Sequence, residues 1–253
     1  MIIKNIKSSL FTILVCVSPL IVTIGQNKNV VLFKKIIEPV EFSGVPNLRS
    51  KTLLQKKFFP DNQGSIEFFV DPSFKAEYGF RVTHLDNGDQ IIEVKQIVNW
   101  KEIKDRLETE YPFKMIPKSL SKEEREEMNR INVDNLKKRR KKAEEVIAEY
   151  KIDSKNIVIN ESLASLLYDT YVHLIRDYDN RGMASVTQFD GSQITLRCVV
   201  DNEVWSFLIG NSFGDMKKLI EISNDIVTDA IENADNLNQE KYVEQLEKLL
   251  TNR

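Results

Sequence analysis

Two histidines, His84 and His173, each stand among carboxylates: Asp86 and Asp89 follow the first, and Asp169 and Asp177 sit one helical turn from the second. An imidazole beside a carboxylate is a pairing that can hold a transition metal. Two ligands do not complete a coordination shell, and neither HExxH nor a clustered Cys/His spacing accompanies them. Both histidines are therefore read as surface residues, one on a hairpin and one on a helix. Cys198 could serve as a nucleophile if a histidine approached it, but the strand register argued below turns it toward Trp205 and the core, where apolar surroundings keep a thiol inert.

Ser119-Leu-Ser-Lys122 spells S-x-x-K at the start of a charged helix, without the companion motifs of an acyl-transferring serine, and no serine lies in G-x-S-x-G. Gly210-Asn-Ser-Phe-Gly214 falls between a strand and a helix, where a phosphate loop could sit. It lacks the Gly-Lys-Ser/Thr ending and reads as a turn with a helix start. The basic run Lys137-Lys-Arg-Arg-Lys-Lys142 is preceded by the acidic stretch Glu123–Glu127 and followed by Glu144-Glu145. Alternating charge blocks on a helix mark solvated surface. These residues give the expectation of no catalytic, cofactor-binding or metal-ligating residue, and no cofactor.

The elements that carry these side chains show best in the last hundred residues. Asn160 can cap a helix whose Leu163, Leu166, Leu167, Tyr171, Leu174 and Ile175 form one apolar stripe. A three-strand meander follows, with turns at Asp190-Gly191 and Asp201-Asn202. Two-residue loops place Phe189, Ile194, Leu196, Cys198, Val200, Trp205 and Phe207 on the buried face, with Gln188, Gln193, Thr195, Arg197 and Ser206 opposite. Amphipathic helices are expected over residues 214–232 and 239–250.

Earlier, residues 66–70 read as a strand and Asp71-Pro72 as a break. Residues 78–85 and 90–96 form a hairpin around Asp86-Asn87-Gly88. A three-residue loop with Gly88 left-handed pairs Phe80 with Val94, Val82 with Ile92 and Arg81 with Glu93, so that one face is apolar throughout. Asn99 with Glu102, and Ser121 with Glu124, have the spacing of capping boxes. The second opens a charged helical stretch to about residue 150, with a possible break at 132–135. It has too few apolar positions for a core helix.

The fold class that follows is α+β: two layers, an antiparallel sheet of hairpins and meanders with helices packed on one face. Six to seven strands in one sheet would form the core, and residues 64–150 and 154–253 could be two similar halves. Residues 26–63, with Pro39, Pro46 and Pro60, read as an extended segment with at most one edge strand.

Residues 1–25 have the form of a secretory signal peptide. Lys4 and Lys7 precede an apolar run from Leu10 to Ile24, shorter than the roughly 20 residues a spanning helix needs, and Thr23 and Gly25 suit a cut before Gln26. Val15 before Cys16 disfavours a lipoprotein cut, and an uncleaved leader would leave an anchor. A periplasmic or secreted location is expected, with no membrane span after the leader is removed. Loss of Lys4 and Lys7 from the 36 basic residues leaves 34 against 38 acidic, a net of −4, which argues against a nucleic-acid partner. Cys198 is then the only cysteine, so no internal disulfide can form.

The leader, Gly64-Ser-Ile-Glu-Phe-Phe-Val-Asp-Pro-Ser-Phe, Tyr78-Gly-Phe-Arg-Val82, Glu93-Val-Lys-Gln96, Phe189-Asp-Gly191, Trp205-Ser206 and the Gly214 to Leu219 stretch together resemble uncharacterised small exported proteins of Bacteroidetes-type bacteria. The resemblance spans residues 64–235 and implies export and an α+β fold, but transfers no functional residue. Two functions are open. One is an exported non-catalytic module that binds a protein or envelope glycan through its surface, with the sheet face of Gln193, Thr195 and Arg197 as the candidate. The other is an envelope hydrolase whose carboxylates meet only in three dimensions. A concave pocket holding two close carboxylates would favour the second.

Overall fold

The computed structural model describes residues 33–39, 51–61, 63–180, 192–209, 214–233 and 237–251. The expected leader, the strand at Phe189 and the Asp190-Gly191 turn lie outside them. Along the chain run β1 (Phe33–Pro39), α1 (Leu53–Phe58), β2 (Ile66–Asp71), β3 (Tyr78–His84), β4 (Gln90–Ile97), α2 (Trp100–Glu110), α3 (Lys122–Lys141) and α4 (Ala143–Glu149). The second half adds β5 (Ile152–Ile159), α5 (Glu161–Asn180), β6 (Gln193–Val200), β7 (Glu203–Ile209), α6 (Gly214–Glu232) and α7 (Gln239–Thr251). The strands form one antiparallel sheet in the order β1-β7-β6-β2-β3-β4-β5. The fold is α+β, as the alternation of apolar residues requires.

The β3–β4 hairpin has the expected register: Phe80 faces Val94, Val82 faces Ile92 and Arg81 faces Glu93, while Gly88 turns the loop at φ 91°. Only a residue without a Cβ adopts that conformation freely. In the β6–β7 hairpin Asp201 and Asn202 both take positive φ, 48° and 64°, and Cys198 faces Trp205. Two successive left-handed residues make the tight turn whose twist matches the strands, and Asn and Asp tolerate it best after glycine.

Alternation puts Ile66, Phe68, Phe80, Ile92, Leu196 and Phe207 on one face, where they are buried against α5, α6 and α7. The Asn160 side chain accepts from the Leu163 N–H at 2.8 Å and so caps α5 as expected. Apolar burial on this face, at roughly 25 cal/mol per Å², is the main drive to fold.

The opposite face departs from expectation. Thr195, Arg197 and Ser206, read from alternation as a polar outer surface, are buried. The N-terminal segment, read as extended, contains α1, opened by a Thr52/Gln55 capping box. Phe58 and Phe59 at its end pack with Phe69 and Ile97 into a second cluster on this face. Polar strand residues persist beneath it because they are paired. Glu67 is bound by Lys51 at 2.8 Å and by Arg197 at 2.5 Å; Arg81 is bound by Glu93 and Asp61, both at 2.5 Å. The Arg81 and Lys95 cations stand 5.6 and 5.3 Å from the Phe59 ring centre.

Helix α3 has no break at residues 132–135; the chain bends at Lys142. The Ser121/Glu124 capping box is present, whereas Asn99 stands at the N-cap of α2 without a side-chain cap bond; its side chain donates to Glu149 O and accepts from the Lys151 N–H. Asn132, Asn135 and Arg139 of α3 hydrogen-bond the backbone of Lys114, Pro112 and Tyr111. An extended strip thus lies antiparallel along one side of the helix.

Candidate functional site

Each residue considered for chemistry has an observed place. His84 is exposed at the end of β3, beside a hollow shared with Gln90, Ser165 and Tyr168. His173 lies on α5 with its Nε2 3.5 Å from Asp177. No group of three or more His, Cys, Asp or Glu side chains able to hold a metal ion occurs among the described residues. Cys198 is fully buried in β6. Ser119, the serine of the S-x-x-K pattern, is exposed ahead of α3, and the neighbouring Ser121 hydroxyl accepts from the Glu124 N–H. Gly214, with φ 57°, begins α6, and Gly210 and its next three residues lie outside the described ones.

A different place offers room. The β2–β3 loop, residues 72–77, and α6 border a cavity of about 500 Å³. Its wall includes Phe74, Lys75, Tyr78, Gln96, Ser192 and Thr228. Pro72 helps define the loop by denying the sheet a backbone donor just after β2. Phe74 is 68% exposed, an aromatic ring presented to solvent at the rim. The Tyr78 hydroxyl donates to Asn224 on α6 at 2.8 Å and ties the floor to the helix layer.

At the foot of the same loop stand two carboxylates, Asp71 and Glu77. Burial pushes the Glu77 carboxyl up to about 7, and the Asp71 charge adds to the rise. Burial also raises Asp71. Tyr150 is pushed up to about 12 by burial and then by Glu77 and Asp71, so all three groups share one environment. The Glu77 Oε2 is buried without a hydrogen-bond partner. A carboxyl protonated near neutrality has the acidity that general acid–base chemistry uses. Its direction is less favourable. Asp71 and Glu77 are out of phase with Phe68, Tyr78 and Gln96, and Tyr150 belongs to the second cluster beneath α1. Glu77 forms part of the cavity wall, yet the acid pair points to the other side of the sheet.

The two acids escaped the sequence reading, where Asp71 registered only as half of a strand-ending Asp-Pro. Their altered acidity comes from burial, with the Asp71 charge adding at Glu77, and no local pattern signals it. No protein-family model, curated protein or solved structure matches the chain.

Proposed function

We propose that this is an exported, non-catalytic binding protein of the cell envelope, and that the cavity between the β2–β3 loop and α6 takes a short envelope glycan. The carrying observation is the make-up of the cavity wall: one exposed aromatic ring, Phe74, beside amide, hydroxyl and ammonium groups from Gln96, Ser192, Thr228 and Lys75. A sugar has apolar ring faces edged by hydroxyls, and such a mixture of one flat apolar surface with converging polar groups suits it. The sheet face first considered, Gln193 with Thr195 and Arg197, is replaced in this role because Thr195 and Arg197 are buried. Export rests on the signal-like leader and on the resemblance described above.

Titration calorimetry with soluble peptidoglycan fragments and neutral oligosaccharides tests the reading. Binding is expected, with Phe74→Ala weakening it about tenfold, or about 1.4 kcal/mol. The sugar should be recovered with unchanged mass. Binding by none of the glycans, or equal binding by Phe74→Ala, overturns the assignment.

The raised Glu77 carboxyl favours a second reading, a carboxylate hydrolase using Asp71 and Glu77. Shortened sugar products, lost in Glu77→Gln, would establish it over the first.

A further inference from the structure

Helix α3 stands apart from the body: α4 and the extended strip at residues 111–114 pack on it, and among the described residues no other helix or strand packs extensively. Asn132 and Arg139 face the strip, and Arg125, one heptad before Asn132, shares that inner side. The outer side carries Glu123, Glu127, Arg130, Asp134, Lys137 and Lys141, all exposed. Reflected about residue 132, these positions exchange charge: Glu123 with Lys141, Glu127 with Lys137, and Arg130 with Asp134.

The centre of that side is held by Arg130 and Asp134; the exposed apolar residues at the same level stand off it, Ile131 and Val133 on the two flanks of the helix and Phe113 and Met115 on the inner strip. Helix dipoles favour acids in the first turn and bases in the last, which accounts for the ends of this pattern. They do not account for the like-charged neighbours four apart, Glu123 with Glu127 and Lys137 with Lys141, which repel within one helix.

We propose that α3 forms the seam of a homodimer in which two copies of the helix lie antiparallel about a two-fold axis at the level of Asn132. A two-fold interface must be complementary to itself, and this surface is: each acidic end meets the partner's basic end. Parallel pairing would set like charges together. An anionic membrane is a poorer occupant, because the acidic half of the helix would be repelled. The inference is independent of the glycan reading and concerns a different surface.

Sedimentation equilibrium of the full mature chain tests it. A dimer is expected at low salt, with dissociation at least about tenfold easier in about 0.5 M salt, where exposed charges are screened. The variants Glu123→Lys/Glu127→Lys and Lys137→Glu/Lys141→Glu should each lose self-association about tenfold or more, with unchanged circular dichroism. Mixed in equal amounts they should recover wild-type association, since the reversed charges then face each other. A wild-type chain that is monomeric at about 100 µM and low salt overturns the proposal. So does undiminished self-association of either variant, or a mixture that stays monomeric.

Discussion

The Arg197 guanidinium donates to the Glu67 carboxylate at 2.5 Å, and both side chains are almost wholly removed from water. A third ion, Lys51, completes the group from the opposite side of Glu67. Two cations around one buried carboxylate is an uneven count. Burial, with the nearby Arg197 charge adding, lowers Lys51 to about 8 despite its pairing with Glu67. The second sheet face is therefore an interior with ionic contents, and its stability depends on every member being present.

Removal of Arg197 is accordingly costly. Arg197→Ala should lose about 3 kcal/mol, because the Ser206 hydroxyl also loses its Nε donor and Glu67 keeps Lys51 alone. Trp205→Ala, by contrast, should lose about 2 kcal/mol. Its ring is only half-buried beside the main core and beneath the Arg176 guanidinium. Urea midpoints for the two variants decide the order. A loss under about 1 kcal/mol for Arg197→Ala would show the face open to water.

That order also shows what the sequence could and could not convey. The hairpin registers were legible because glycine, Asn and Asp at the turns and alternating apolar residues in the strands point to the same pairing. The stripes of α5, α6 and α7 were legible for the same reason. Strand β5 was not: as an edge strand it has one paired side, and Asp153, Ser154 and Lys155 blur its alternation. Helix α1 is barely more than one turn and shows no stripe. Its position over Glu67 and Arg197 turned residues with the polarity of a surface into an interior. The cavity beside Phe74 was illegible because its walls come from a loop, two strands and a distant helix.

Gly79 marks a close approach of backbones. A Cβ there would stand 2.2 Å from the Phe68 carbonyl oxygen, in the middle of the sheet and with no side chain to yield. Gly79→Ala should cost at least about 3 kcal/mol or prevent folding. Thermal denaturation measures the loss directly. A variant within about 1 kcal/mol of the parent would show that β2 and β3 are not paired this closely.

Asn202 probes the other hairpin. At φ 64° a β-branched side chain is strained, so Asn202→Val should destabilise by about 1–2 kcal/mol, while Asn202→Gly should be nearly neutral. Equal midpoints for both variants would mean that the turn adopts another form.

Glu77 gives the fold a pH dependence of definite sign. Its carboxyl releases a proton near pH 4.5 in the unfolded chain but near 7 when folded. Below both values it is neutral in both states and contributes nothing to the difference. Between them the folded chain retains a proton that the unfolded chain has lost, so this group lowers stability steadily as pH rises, by at most about 3 kcal/mol above pH 7. Glu77→Gln, neutral at every pH, removes that contribution. The variant should match the parent near pH 4 and exceed it by about 1–3 kcal/mol at pH 8, with the gap opening between 4.5 and 7. Denaturant midpoints at pH 4, 6 and 8 measure the gap. A pH-independent difference between the two proteins would place the Glu77 carboxylate in water rather than beneath the loop with Asp71 and Tyr150.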